Sequence, residues 1–255
     1  MRGPAGRGAV ASGAGSTRSA TAPFPFASRI RAVLFDVGNT LMWLDHARMA
    51  EIASGAGAVC DEASMRCAEM RARPRLDHLL RAAQRSESDE IRRNYATLVV
   101  AELGAAAAQN AAANRAVEAL LAVWGSLWMR PPADAVPTLD ALAARGFVIG
   151  CVSNSDGRVR ERLDSVGLAA RMACVVDSGA EGVEKPDPRI FLRAAERVGV
   201  APSACVYVGD FLALDVEGAR AAGMEGILLD PIGAWGARGV PSVASLAEIP
   251  PRLAV

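Results

Sequence analysis

The sequence predicts an α/β fold, a doubly wound parallel sheet into which an all-helical segment is inserted after the first strand. Two features of the sequence indicate this fold. From residue 131 onward, short apolar runs alternate with amphipathic stretches, as they do where strands are buried by helices on both faces. Residues 45–130 break this alternation, because they are rich in Ala and Arg and space their apolar residues as helices do.

The strands and helices of the predicted sheet are marked by their ends as well as by their apolar character. Strands are predicted at residues 31–36, 147–153, 173–177, 204–209 and 226–230. Helices are expected to begin at Pro137 and Thr138, near residue 157, and at Asp187, an N-cap before Pro188. Helices are predicted to end at four glycines suited to left-handed caps, Gly146, Gly167, Gly199 and Gly223.

The apolar residues of the inserted segment lie at helical spacing, and Pro131 and Pro132 close the segment. We interpret them as the core of a helical domain rather than as a ligand-binding surface. They include Met65, Met70, Leu76, Leu79, Leu80, Tyr95, Leu98, Val99, Leu120, Leu121, Trp124 and Trp128. The predicted organisation is therefore a core domain of residues 29–44 and 131–255, with a helical domain of residues 45–130 between its two parts.

Residues 1–28 differ from the rest of the chain in composition. They are rich in Gly, Ala, Ser, Pro and Arg and contain neither Asp nor Glu. They lack the apolar stretch of a secretory signal, and a transit peptide would be amphipathic rather than broken by glycines. We predict a disordered tail, or a start codon assigned too early.

Composition excludes several classes of function. Basic and acidic residues both number 28, so the zero net charge argues against binding nucleic acid or an anionic membrane through bulk charge. No apolar stretch is long enough to cross a membrane. The five cysteines form no CxxC motif, which favours buried thiols in a reducing, cytoplasmic compartment, and two histidines make a zinc site improbable. The oligomeric state is left open.

Four polar segments lie where predicted strands end, the edge at which open parallel sheets bind ligands. They begin at Asp36, Ser153, Lys185 and Asp210, and the last extends to Asp215. Three carboxylates at one edge would repel one another without a hard cation such as Mg²⁺. The Ser153 hydroxyl and a helix N-terminus suit a phosphate, Lys185 would neutralise charge, and a carboxylate can attack phosphorus. Singly, each residue could be an ordinary cap or strand end; together they favour phosphoryl transfer.

These segments resemble the motifs of the haloacid dehalogenase superfamily. The family's DxDx(T/V) motif corresponds to Asp36-Val-Gly-Asn-Thr40, its strand-ending hydroxyl to Ser153, its lysine to Lys185 in EKPDPRIF, and its acidic pair to Asp210 and Asp215. The resemblance spans roughly residues 29–250. It implies a Rossmann-like core, a C1-type helical cap in the 117-residue interval between Asp36 and Ser153, and Mg²⁺ as cofactor. It also explains why Lys185 is the one lysine among 28 basic residues.

The resemblance further implies a role for each matching residue. Asp36 is the expected nucleophile that forms an aspartyl-phosphate, with Ser153 and Lys185 completing the catalytic set. Phosphate is expected to contact Asn39, Thr40, Ser153, Asn154 and Lys185, and Mg²⁺ is expected at Asp36, the Gly38 carbonyl, Asp210 and Asp215. The expected substrate is a small phosphomonoester, with no nucleic-acid or membrane partner. Six arginines of the inserted segment could grip a second anionic group or form a solvated face: Arg66, Arg71, Arg73, Arg75, Arg92 and Arg93.

One position departs from the pattern of family phosphatases. Their second motif aspartate, the acid for the leaving group and then the base for water, is replaced here by Gly38. A lost general acid costs roughly 10²–10⁴-fold in rate, so turnover is expected to be slow unless another group substitutes. Asp45 and His46 are candidates for that substitution, although Asp45 equally suits a helix start.

The same departure keeps other functions open. A weakly active or non-catalytic relative that binds a phosphorylated ligand or a protein would have no need of the acid. Dehalogenases of the superfamily also lack it, but they require no metal, whereas Asp210 and Asp215 look like the metal-binding pair. Phosphonate hydrolases use a cap lysine that is missing here, and phospho-acceptor signalling domains are not split by a helical insertion.

Overall fold

Six parallel strands form the central sheet of the computed structural model, which describes residues 22–83, 88–104 and 111–253. The strands of the chain are β1 (Ala32–Phe35), β2 (Trp43–Leu44), β3 (Trp128–Arg130), β4 (Val148–Ser153), β5 (Cys174–Asp177), β6 (Cys205–Gly209), β7 (Glu225–Leu229) and β8 (Ser242–Val243). The sheet has the order β5-β4-β1-β6-β7-β8, whereas β2 and β3 form a separate antiparallel pair. The predicted doubly wound parallel sheet with a helical insertion is confirmed.

Helices cover the sheet and build the insertion. They are α1 (His46–Gly55), α2 (Glu62–Ala83), α3 (Asp89–Glu102), α4 (Ala111–Val123), α5 (Ala135–Ala144), α6 (Val159–Ser165), α7 (Ser178–Glu181), α8 (Pro188–Val198), α9 (Gly218–Ala221) and α10 (Ile249–Leu253). A π-helical turn, Leu212–Glu217, precedes α9. None of the described helices is both long and apolar enough to span a membrane.

Strand β1 shows how both faces of the sheet are buried. Val33 and Phe35 pack into a core on one face, while Ala32 and Leu34 pack into a second core on the other. The alternation of side chains along a strand explains this division. The continuous apolar run that predicted the strand therefore serves two cores rather than one.

The ends of helix α8 match the sequence prediction. The Asp187 carboxylate accepts from the backbone N–H of Arg189 (2.9 Å), Pro188 follows, and Gly199 ends the helix with φ +67°. The other three predicted glycine caps also have positive φ, between +73° and +83°. Because α8 begins three residues after Lys185, this cap also fixes the approach of the lysine loop.

The segment before β1 corrects one prediction. Residues 1–21 lie outside the described residues, but the predicted tail extended to residue 28, and Phe24 and Phe26 are buried in the core on one sheet face. Their rings stack at 5.3 Å, and the Arg252 guanidinium lies 4.0 Å from the Phe24 ring centre. The tail prediction is wrong for these residues. Burial of the two aromatic side chains in the core stabilises an ordered segment, although the residues around them are small and polar.

Helices α1–α4 and the turn Trp124–Ser126 form the helical insertion. Its core of Met49, Met65, Val99 and Leu120 is fully buried. The same apolar cluster continues onto the sheet domain through Phe211 and other residues that follow β6. The short strands β2 and β3, which the sequence analysis did not predict, join the insertion to the sheet on both sides.

Candidate active site

The loop after β1 carries Asp36 at the carboxyl end of the central strand. Strands β4 and β6 lie on either side of β1, so Asp36 sits where the direction of the strand order changes. A tight turn follows, in which the amide of Met42 donates to the carbonyl of Val37 (2.7 Å). Asn39 has φ +53° in this turn, a left-handed conformation for which Asn is enriched. The turn holds Asp36 at the sheet edge and leads the chain into β2.

The ammonium of Lys185 connects the acidic residues of this edge. Its Nζ donates to Asp36 Oδ1 (2.5 Å), to Asp215 Oδ1 (2.7 Å) and to the hydroxyl oxygen of Tyr207 (3.1 Å). These contacts employ all three N–H donors of the ammonium. The Tyr207 hydroxyl donates onward to the carbonyl of Val152 (2.7 Å), so the lysine is fixed between three strands.

The pKa values of Asp36, Asp210 and Lys185 are all raised. Burial is the main cause for the two acids, and neighbouring carboxylates are the cause for the lysine. Burial raises the pKa of Asp36 to about 6. The Lys185 ammonium opposes this rise, and the Asp215 carboxylate adds to it. Burial raises the pKa of Asp210 well above its usual value, because Arg73 only partly offsets the loss of water. Burial alone would lower the pKa of Lys185, but the Asp215 and Asp36 carboxylates outweigh it and hold that pKa well above the usual value. Lys185 is therefore a permanent cation at neutral pH.

The loop that carries Lys185 is held by Asn154. The Asn154 amide group donates to the Lys185 carbonyl (3.0 Å), and its Oδ1 accepts from the Lys185 backbone N–H (2.7 Å). This two-point contact aligns the lysine backbone with the end of β4. Asn154 therefore orients the lysine loop, a contact that the sequence analysis did not predict.

Asp177 and Ser178 hold the loop after Ser153. The Asp177 carboxylate accepts from the backbone amides of Gly157 and Val159, both at 3.0 Å. The Ser178 hydroxyl accepts from the amide of Ser155 (3.0 Å) and donates to its carbonyl (3.2 Å). These contacts fix the Ser153 loop from the end of the neighbouring strand β5.

The acidic residues fit a divalent metal ion. One carboxylate oxygen from each of Asp36, Asp210 and Asp215 lies within 4.8 Å of the others. The Oδ2 atom of Asp210 is buried and has no hydrogen-bond partner within the described part of the chain, which leaves a lone pair for a cation. Oxygen ligands alone are the set that Mg²⁺ prefers. A side chain at Gly209 would collide with the Asp215 carboxyl group, so glycine is required for this arrangement.

An aromatic side chain covers Gly38, where family phosphatases carry their second aspartate. A Cβ atom built at this position would lie 3.2 Å from Cζ3 and 3.5 Å from Cη2 of Trp128. The Trp128 ring therefore crowds the position of a side chain at residue 38. Trp128 is itself held edge-on by Trp124, with ring centres 6.4 Å apart.

A buried ionic cluster joins the insertion to the site. Arg73 donates to both carboxylate oxygens of Glu69 at 2.7 Å, and its Nη1 lies 3.5 Å from Asp210 Oδ2. The Tyr95 hydroxyl donates to Glu69 and accepts from the Asn39 amide (2.9 Å). Arg73 and Glu69 are 1% and 0% exposed, so the charges depend on each other for solvation.

The charge state of Glu69 follows from its partners. Burial alone would raise its pKa, but the Arg73 guanidinium and the hydrogen bond from His46 outweigh burial and lower the pKa to about 2. The Nε2 atom of His46 lies 3.3 Å from Glu69 Oε2. Glu69 is thus ionised at neutral pH and accepts hydrogen bonds only.

A cavity of about 800 Å³ lies between the sheet edge and the insertion. Its polar lining at the sheet edge includes Asp36, Asn39, Ser153, Asn154, Ser155, Asp156, Arg162, Lys185, Asp210 and Asp215, and the insertion adds Asp89, Glu90, Arg92 and Arg93. Its apolar and aromatic lining includes Met42, Leu76, Leu80, Ile91, Tyr95, Leu121, Trp124, Trp128, Phe211 and Leu214. Several residues that the sequence analysis placed in the core of the insertion thus have a second role, since they also form the cavity wall.

A family model for haloacid dehalogenase-like hydrolases matches residues 30–223. The chain belongs to this family. It is 43% identical to a glyceraldehyde 3-phosphate phosphatase of Methanopyrus kandleri over 98 residues, 38% of this chain and 42% of the relative. It is 41% identical to a phosphoglycolate phosphatase of Xylella fastidiosa over 101 residues, 39% of this chain and 42% of that relative. These matches span less than half the length of either phosphatase.

Solved structures agree with the fold of this hydrolase. A HAD phosphatase from Thermococcus onnurineus superposes with a TM-score of 0.56 and 25% identity over 86% of this chain and 96% of that one. A 2-haloacid dehalogenase from Pseudomonas syringae superposes with a TM-score of 0.53 and 27% identity over 88% and 98% of the two chains. The similarity therefore extends over the sheet and the insertion together.

The structure brings most predicted site residues of the hydrolase to one cavity. Asp36, Gly38, Asn39, Ser153, Asn154, Lys185, Asp210 and Asp215 all line it. Thr40 does not, because it is fully buried within the turn after Asp36. Asp45 caps helix α1 by accepting from the Arg48 amide (3.1 Å), and His46 faces Glu69, so neither lines the cavity.

Sequence reasoning missed several residues of the site. Tyr207 lies within an apolar run, so the sequence predicts a core residue there. Its contact with Lys185 depends on the position of β6 in the sheet. Glu69 and Arg73 carry a local signal, opposite charges four residues apart on one helix, but that spacing usually marks an exposed pair. Only packing against Asp210 shows that this pair is buried, and Arg73 is consequently not part of a solvated face.

Proposed function

We propose that this chain is a Mg²⁺-dependent phosphatase of small phosphomonoesters that works through an aspartyl-phosphate on Asp36. The observation that carries this proposal is the contact of one buried ammonium, Lys185, with both Asp36 and Asp215, beside Asp210, whose Oδ2 atom accepts no hydrogen bond within the described part of the chain. A site that only bound a phosphorylated ligand would have no need of a buried, charge-balanced nucleophile. The curated phosphatase relatives support the same reaction class.

In the first step, a carboxylate oxygen of Asp36 attacks phosphorus. The bond from phosphorus to the leaving oxygen breaks, and its electron pair stays on that oxygen. Lys185 keeps Asp36 ionised and oriented, and its fixed charge offsets negative charge that gathers around phosphorus. The Ser153 hydroxyl, which lines the cavity at the end of β4, is proposed to bind a phosphoryl oxygen.

The metal site of this proposal consists of Asp36, Asp210, Asp215 and the Gly38 carbonyl. Mg²⁺ bound there would neutralise the carboxylates and polarise the phosphoryl group. The Oδ2 atom of Asp210, which accepts no hydrogen bond from the described residues, supports this assignment. Asn39 and Asn154 are proposed to act on the substrate through the loops that they hold.

In the second step, water attacks phosphorus of the aspartyl-phosphate. Phosphate leaves, the Asp36 carboxylate is restored, and the water proton passes to solvent. Because Gly38 supplies no base for this proton, hydrolysis of the intermediate is expected to limit turnover.

The helical insertion is proposed to act as the cap of the site. With residues 29–44 and 131–255 as the core domain and 45–130 as the cap, the cavity lies between the two. Closure of such a cap would exclude water during phosphoryl transfer. Five free cysteines support the proposal of a cytoplasmic enzyme.

Rapid-quench kinetics with 4-nitrophenyl phosphate test the proposal. With Mg²⁺ in excess, we expect a stoichiometric burst of 4-nitrophenol followed by slow turnover, and intact-mass spectra should show one added phosphoryl group. EDTA should abolish the burst.

Asp36→Asn and Asp187→Asn are a suitable pair of variants. Asp36→Asn removes the nucleophile and should lose both the burst and the phosphoryl adduct. Asp187→Asn changes a capping residue outside the cavity lining and should retain both. A burst that Asp36→Asn still produces would contradict the proposed mechanism.

Halide displacement is the second candidate, favoured by the absence of an acid at Gly38. In that reaction an Asp36 oxygen attacks carbon and halide leaves with the bonding electrons, so no proton donor is required. The metal-type acidic cluster argues against it. Release of chloride from 2-chloropropionate that EDTA does not inhibit would favour this candidate over the phosphatase.

A further inference from the structure

We propose, on the basis of the phosphatase function above, that the substrate is an aryl phosphate whose ring packs against Trp128 and leaves as an unprotonated phenolate. The structural feature behind this proposal is the contact between Trp128 and Gly38. The indole ring of Trp128 crowds the position from which a general acid at residue 38 would extend. The substrate class follows from the absence of a general acid at residue 38 and from the ability of the Trp128 ring to bind an aromatic group.

Trp128 is fixed in its position over Gly38. It lies on β3, where it pairs with Leu44 of β2, and its ring meets Trp124 edge-on. Trp124 in turn meets Tyr95 edge-on, with ring centres 5.4 Å apart. All three aromatic residues line the cavity, so an aromatic row extends from the nucleophile loop into the insertion.

Residue 38 supplies no proton donor beside Asp36, and the buried donors of Lys185 and Tyr95 are already engaged. All three protons of Lys185 are donated to Asp36, Asp215 and Tyr207. The Tyr95 proton is donated to Glu69, whose low pKa keeps it an acceptor. A leaving group that lies beside Gly38 is therefore expected to depart as an anion.

Aryl phosphates meet this requirement and alkyl phosphates do not. A phenol has a pKa of about 10, whereas an aliphatic hydroxyl resembles water, with a pKa of about 16. Phenolate thus leaves readily without a proton, and alkoxide does not. The row of Tyr95, Trp124 and Trp128 in the cavity lining also suits a flat ring, because aromatic rings favour edge-to-face and offset contacts.

Three phosphomonoesters test the proposal: 4-nitrophenyl, phenyl and propyl phosphate. The rate of Asp36 phosphorylation is measured for each by rapid quench and intact mass. We expect the rate to fall steeply as the leaving-group pKa rises, with propyl phosphate at least about 10²-fold slower than phenyl phosphate. Gly38→Asp combined with Trp128→Ala should raise the propyl phosphate rate at least about 10-fold over Trp128→Ala alone, since it restores an acid and the space for it.

A binding measurement tests the role of the ring without turnover. Titration calorimetry with phenylphosphonate and propylphosphonate, which cannot undergo the reaction, should show tighter binding of the phenyl compound. Trp128→Leu should remove this preference. Trp43→Leu is the matched control, because Trp43 lies on the adjacent strand β2 outside the cavity lining, and it should keep the preference.

The outcomes separate this proposal from the phosphatase function. If no ester phosphorylates Asp36 in the wild-type protein, the phosphatase function fails and this inference fails with it. If propyl and phenyl phosphate phosphorylate Asp36 at similar rates, the phosphatase function stands and the aryl proposal is overturned. If Trp128→Leu retains the phenyl preference, Trp128 is not the residue that recognises the ring, and the proposal is overturned as well.

Discussion

Replacing Arg73 with Met tests the buried cluster that joins the insertion to the site. Arg73→Met keeps much of the side-chain volume but removes the charge, so Glu69 is left ionised at 0% exposure without its bidentate partner. Breaking one side of a buried ion pair costs about 3–5 kcal/mol. For a domain of this size, each kcal/mol lowers Tm by about 2–4 °C. The expected fall in Tm is therefore about 6–20 °C.

Calorimetry at pH 7 measures this loss against a control on the same helix. Arg71→Met removes an exposed guanidinium two residues away and should change stability by less than about 0.5 kcal/mol. Glu69→Gln combined with Arg73→Met should be less destabilised than Arg73→Met alone, because no ionised carboxylate is then left unpaired. If the free energy of unfolding of Arg73→Met lies within about 1 kcal/mol of the wild-type value, the buried pair does not stabilise the fold and the reasoning is refuted.

Three further variants test the site itself. Lys185→Met leaves Asp36 and Asp215 without their shared cation and should slow Asp36 phosphorylation about 10²-fold or more in the rapid-quench assay; an unchanged burst would contradict its electrostatic role. Because folding raises the pKa of Asp36 from 3.8 to about 6, its contribution to stability is present below pH 4 and is lost as pH rises to 6. In EDTA, the free energy of unfolding of Asp36→Asn should therefore rise relative to that of the wild type by up to about 3 kcal/mol between pH 4 and 6. If the thermal stabilities of the two proteins change in parallel with pH, this reasoning is refuted. Gly209→Ala forces a Cβ into the Asp215 carboxyl group and should cost about 1–3 kcal/mol, whereas Gly55→Ala in α1 meets open space and should be neutral or slightly stabilising in denaturant titrations.

Local sequence signals predicted the sheet and the motif residues well. The five strands predicted for the sheet and the caps of α8 depend on short apolar runs, Asp187, Pro188 and Gly199, which act within a few residues. Asp36, Ser153 and Asp210 come together because parallel strands bring their carboxyl ends to one edge, whereas Lys185 reaches that edge from the loop between α7 and α8. Strand β8 and the pair β2 and β3 are only two or three residues long, too short for a periodic signal.

Long-range contacts decided the rest of the site. The position of Trp128 over Gly38 joins residues 90 positions apart in the chain, and no local pattern contains it. The same holds for Tyr207 beneath Lys185 and for Arg73 beside Asp210. Asn154 was expected at the phosphate but holds the lysine backbone, since its amide finds two partners there.

The sequence by itself predicted the fold and drew attention to Asp36, Lys185, Asp210 and Asp215, because the strands depend on local propensity and the residues stand in recognisable motifs. It also identified the missing acid at Gly38. Only the tertiary structure decided what replaces that acid and what neutralises the buried charges. Packing between distant segments decides which residues become neighbours. It places the Trp128 indole of β3 beside Gly38 and the Arg73 guanidinium of α2 beside Asp210.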